Sequence, residues 1–183
     1  LAQWQTHFKG LQPEGPGLII NISCAQFHQQ DLYAWISELL EKHGMAARNL
    51  SLEITETSLI QDTDKASLVL TELDRLGVGI ALDDFGTGYS SLSYLSKFPI
   101  HTVKIDRSFI HDITQDVKQQ RLVRAIIRMG QDMDYKVVAE GVETKDQLTL
   151  LDEMGCDLIQ GFIYSTPIPP AELSAWVRLR TQA

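Results

Sequence analysis

Six short aliphatic runs alternate with amphipathic helical patterns along this chain, and that alternation restricts its fold more than any other feature. The runs lie at residues 18–22, 50–54, 78–82, 102–105, 136–139 and 158–159. Helical patterns occupy 32–43, 60–76, 90–97, 117–133 and 145–154, and a last one opens at Pro169-Pro170 and continues to about residue 180. Residues 1–9 carry Leu1, Trp4 and Phe8 at helical spacing, and a breaker-rich linker follows over 11–17. Strands that are aliphatic on both faces and separated by helices predict a parallel sheet covered by helices. Two architectures satisfy this pattern, an open doubly wound sheet and a closed (β/α)8 barrel. The dinucleotide-binding form of the first is weakly supported, because Gly86-Thr87-Gly88 lacks the third glycine of its phosphate loop. A barrel takes eight strands and typically about 250 residues. The chain starts at Leu1 and offers six runs, so the expectation is an α/β fold of the (β/α)8 TIM-like class whose first two strands lie upstream.

In such a barrel the chemistry collects at the carboxyl ends of the strands. Those ends here carry Asn21, Glu53 with Glu56, Asp83 with Asp84, Lys104 with Asp106, Glu140 with Glu143, and Gln160. Each has an ordinary reading when taken alone. Asn21 can bond strand-end backbone, Glu56 and Asp106 can cap helices, Lys104 can snorkel at a rim, and Glu143 can pair with Lys145. Repetition at the same end of successive strands favours a site. Glu53, Asp83, Asp84 and Glu140 cannot all stay ionised in one mouth without cations. The five histidines show no ligand spacing, so a metal site here is built from oxygens and suits a hard ion such as Mg²⁺ or Mn²⁺. Adjacent aspartates fit a two-ion site, with one carboxylate bridging ions about 3.5–4 Å apart for in-line phosphoryl displacement.

The chain's 183 residues, 44% of them hydrophobic, suffice for a single domain over 1–183. A formal charge of −8 argues against gripping polymeric nucleic acid, while leaving room for a small phosphorylated ligand accompanied by metal ions. No apolar run reaches the length of a membrane span, and no secretory signal is visible. Cys24 and Cys156 stand far apart, which suggests a reducing, cytoplasmic setting with both as small core residues.

The stretches N-I-S (21–23), L-E-I-T-E (52–56), D-D-F-G-T-G-Y-S-S-L (83–92), V-K-I-D-R-S-F (103–109), V-A-E-G-V-E-T (138–144) and G-C-D-L-I-Q-G (155–161) together resemble the EAL domain, in unbroken order. The resemblance implies a β/α barrel that hydrolyses cyclic di-GMP to linear pGpG with two Mg²⁺ or Mn²⁺ ions. It implies that Asn21, Glu53 and Asp83 bind one ion, and that Asp83 as bridge, Asp84 and Glu140 bind the other. Lys104 is then the lysine near the attacking water, Gln160 the glutamine beside that water or phosphate, and Glu56 the glutamate holding the loop over 85–91. The naming Glu-Ala-Leu segment is absent, so the chain reads as the C-terminal three-quarters of the domain, impaired on its own. A homodimer, with sensory or GGDEF-type domains upstream, is the expected setting. The alternative is an inactive domain that binds cyclic di-GMP as a receptor, and the discriminating feature is whether the upstream glutamate is kept.

Overall fold

A computed structural model of the chain describes residue 1 and residues 17–29, 31–87 and 95–181. Six strands, β1 (Leu18–Ile22), β2 (Leu50–Thr55), β3 (Gly79–Phe85), β4 (Thr102–Ile105), β5 (Lys136–Ala139) and β6 (Leu158–Ile159), form one sheet in that order. Every neighbouring pair is parallel. A doubly wound sheet reverses its strand order at a switch point. Here each strand joins the one before it, which is the winding of a β/α barrel, present as a six-stranded arc.

The connecting helices are α1 (Cys24–Gln29), α2 (Leu32–His43), α3 (Glu56–Ile60), α4 (Thr63–Leu76), α5 (Arg107–Ile110), α6 (Val117–Asp132), α7 (Lys145–Glu153) and α8 (Pro170–Thr181). Their buried residues fall at helical spacing: Leu32, Ile36 and Leu40 on α2, Ala66, Leu70 and Leu73 on α4, and Val123, Ile126, Ile127 and Gly130 on α6. Register gives the two faces of the sheet different chemistry. Leu52 pairs with Ile80 and Ile54 with Leu82; Leu82 pairs with Val103, and Val103 with Val137. All of these are buried on the helix-covered face. Side chains alternate along a strand, so Ser51, Glu53 and Thr55 share the opposite, inner face. The strands are therefore aliphatic mainly on one side, not on both.

Several elements depart from the sequence pattern for identifiable reasons. The helix expected over 60–76 begins later, at Thr63, because the Asp62 side chain accepts from Lys65 N at 3.1 Å and caps α4, and the short α3 precedes it. The third strand runs on through Asp83 and Asp84 to Phe85, and its register with β4 shifts between Leu82 and Phe85. Two short helices, α1 and α5, are too brief to show a period. Both cysteines are partly rather than fully buried, and Cys156 packs against the core. The helix over 1–9, the linker short of Gly17 and the helix over 90–97 short of Leu95 lie outside the described residues.

A buried amide fixes the segment after β5. Gln147 Oε1 accepts from the backbone N–H of Glu143 (2.8 Å) and Thr144 (3.0 Å), while its Nε2 donates to the carbonyls of Ile110 and His111, both at 3.1 Å. Thr144 completes a capping box with it. Gln147→Glu would turn a donor into a carboxylate facing two carbonyls. Urea denaturation should find that variant less stable by about 1–3 kcal/mol.

Candidate functional site

Lys104 projects from β4 on the inner face and is only 4% exposed. Its ammonium lies 2.6 Å from Glu53 Oε1, 3.2 Å from Asp83 Oδ1 and 2.5 Å from Glu140 Oε1. These carboxylates come from β2, from β3 and from the residue following β5, so one lysine joins three strand ends. Lys104 is accordingly not a snorkelling rim residue. Asn21, beside Glu53 in the ladder, donates from Nδ2 to Asp83 Oδ2 and Glu53 Oε2, both at 3.3 Å, when its amide is oriented to suit its neighbours. Asn21, Glu53, Asp83, Lys104 and Glu140 thus meet at one place.

Three carboxylates against one ammonium leave the cluster short of positive charge. Burial pushes the Lys104 pKa down, but hydrogen bonds to Glu140 and Glu53 and their charges more than reverse this, and it ends above the ordinary lysine value. Glu140 moves up from 4.5: burial is the main cause, Asp83 and Glu53 add to it, and Lys104 offsets only part. Asp84 is exposed and sits at a backbone φ of 55°, within the register shift. Although the residue is exposed, partial desolvation of its carboxylate raises its pKa, Asp83 and Asp106 add to this, and Lys104 opposes it, which places it in the same electrostatic neighbourhood.

The remaining residues of the strand-end set stand further out. Gln160 is exposed, with its backbone N–H on Ala139 O and its carbonyl receiving Val142 N–H. Gly161 follows for a steric reason, since a Cβ there would lie 2.1 Å from Val142 O. Glu56 is buried at the start of α3, and of the loop assigned to it only residues through Thr87 are described. Asp106 caps α5 by accepting from Ser108 N at 3.0 Å. Glu143 is exposed, and the cap of α7 is Thr144. Gln147 was missed in the sequence; its signal was the Thr144-x-x-Gln147 spacing of a capping box.

The donor set fits divalent cations in chemistry: it is all oxygen, and Asp83 Oδ1 is a buried acceptor outside hydrogen-bonding geometry despite its 3.2 Å approach to Lys104. Among the described residues, no three His, Cys, Asp or Glu side chains already converge as a metal cage.

The family model of the EAL domain matches residues 1–167. The chain belongs to the EAL domain family. This EAL chain is 46% identical over 86% of its length to the signaling protein YkoW of Bacillus subtilis, covering 20% of that protein. It is 43% identical over 87% of its length to the cyclic di-GMP phosphodiesterase NbdA of Pseudomonas aeruginosa, again covering 20%. The chain therefore spans about a fifth of the curated relatives it matches. Among solved structures, the PaMucR phosphodiesterase in complex with c-di-GMP superposes with a TM-score of 0.88 at 37% identity, over 93% of this chain and 69% of that one. A manganese and cyclic di-GMP complex of Klebsiella pneumoniae BlrP1 gives 0.81 at 34% identity, over 91% and 42%. Among the described residues, no helix of this EAL domain is long and apolar enough to cross a membrane.

A raised carboxylate pKa in the fold means that the folded state holds its proton more tightly than the unfolded chain. The stability Glu140 contributes is then present below 4.5 and lost as pH rises through its higher folded value. With a chelator present, the unfolding free energy of wild type minus that of Glu140→Gln should fall across that window, as urea denaturation at successive pH values would show.

Proposed function

We propose that this EAL domain, as one unit over residues 1–183 of a larger protein, is a phosphodiesterase that cuts cyclic di-GMP to linear pGpG. The observation that carries the reading is the meeting of Asn21, Glu53, Asp83 and Glu140 around Lys104 at the carboxyl ends of neighbouring strands. Asn21, Glu53 and Asp83 would hold one Mg²⁺ or Mn²⁺ ion, and Asp83, Asp84 and Glu140 a second. When bound, such ions lower the pKa of a water and neutralise phosphate oxygens. The protein's own part is to position and to exclude. The nearly buried Lys104 orients the attacking water and meets the charge that develops on the phosphate. Gln160, exposed at the end of β6, offers its amide to that water or to a phosphate oxygen. Glu56, buried behind β2, supports the loop that follows Asp83 and Asp84. The acidic balance of the chain suits a small dinucleotide accompanied by metal ions better than a nucleic-acid polymer.

The full-length protein should convert cyclic di-GMP to pGpG with Mg²⁺ or Mn²⁺ and be silent with a chelator, as separated products would show. Asp83→Asn should lower turnover by at least ~100-fold, more than the loss typical of a merely supporting residue. Binding of the dinucleotide without cleavage under either metal would replace this reading with the receptor one.

A further inference from the structure

The ligand cluster is held together by nitrogen donors. Lys104 draws Glu53, Asp83 and Glu140 to one ammonium, and the Asn21 amide bridges the second oxygens of Asp83 and Glu53. Both oxygens of Glu53 and Oδ2 of Asp83 thus already face an N–H group, and Asp83 Oδ1 approaches the ammonium at 3.2 Å. No cage of three acidic side chains stands ready among the described residues. The weakest link is Asp83 Oδ1, buried and out of line with the ammonium.

Resting on the metal reading above, we infer that Lys104 is the resident counter-cation of this cluster, and that a divalent ion enters by displacing its ammonium from the carboxylates. Lys104 is then a positioning residue as well as one near the reacting water. It keeps mutually repelling carboxylates assembled, and it sets the affinity of the ion that replaces it. The exchange favours divalent ions over monovalent ones, because Na⁺ or K⁺ brings no more charge than the ammonium it would displace. The Asn21 amide turns in the same step, since its oxygen rather than its nitrogen binds a cation.

The test uses the full-length protein stripped with a chelator and titrated with Mn²⁺, with wild type compared against Lys104→Met and Lys104→Arg. The Met variant should melt below wild type in chelator, and saturating Mn²⁺ should close that gap. Its Mn²⁺ affinity should rise roughly tenfold, within the range of ordinary coupling between two binding events. The Arg variant keeps the charge and should stay near wild type in both readouts. A Met variant that binds Mn²⁺ no more tightly than wild type overturns the inference. Should the Met variant fail to fold, lysine Nζ resonances of wild type decide instead. The Lys104 ammonium protons should be protected from exchange in chelator and lose that protection as Mg²⁺ saturates, and protection that persists in Mg²⁺ overturns the exchange while leaving the metal reading intact. If no divalent ion binds at all, both fall together.

Discussion

A lysine ammonium taken almost wholly out of water is tolerated only when carboxylates surround it, and in this domain that requirement ties the mouth to the sheet. Lys104 leaves β4, yet its partners arrive from β2, from β3 and from the residue after β5. All four segments must be in register for the charges to meet. A slip by one residue would turn Glu53 or Lys104 onto the helix-covered face, where Leu52, Ile54, Val103 and Ile105 are buried. Assembling the sheet and assembling the charged cluster are the same event.

The backbone irregularities of β3 lie at this end of the strand. The shift between Leu82 and Phe85 and the left-handed Asp84 interrupt the alternation of β3 at the paired aspartates. A regular strand would send the two carboxylates to opposite faces; the irregularity leaves Asp83 on Lys104 and lets Asp84 feel the charges of both. On the other side of Lys104, Gly161 lets the turn after β6 press against the Val142 backbone, and Gln147 ties the segment after Glu140 to the end of α5. Glu140 is therefore carried on a loop held at several points.

Much of this was legible in the sequence, for a physical reason: a parallel β/α unit repeats, and each repeat marks its strand by an aliphatic run and its helix by a 3.6-residue period. Strands β1, β4, β5 and β6 and helix α2 fall on the residues the pattern indicated. What escaped was local. A single aspartate cap at Asp62 delays the start of α4 to Thr63, which periodicity does not register. The extension of β3 through two charged residues runs against strand propensity and is fixed by pairing with β4. Of the site, the participants were visible as strand-end polar residues, but their order of contact was not. Nothing in the spacing says that Lys104 sits at the centre, because that depends on side-chain reach across a twisted sheet. The bland reading of Asp106 as a cap was the one the fold adopts.

The acidity of the chain acquires a meaning beside this cluster. A domain with a formal charge of −8 repels a phosphodiester at a distance, and its strand-end carboxylates sharpen that repulsion at the mouth. One ammonium balances only part of the local charge, so Asp83 and Glu53 add to the burial that chiefly raises the Glu140 pKa. On the proposed reading, the same deficit that makes the cluster costly is what draws divalent ions to it, and the ions reverse the sign of the field the phosphate meets. An already neutral mouth would spare the protein that cost but would have little hold on the ions. Electrostatic strain in the carboxylates and affinity for the cation are thus two measures of a single charge imbalance.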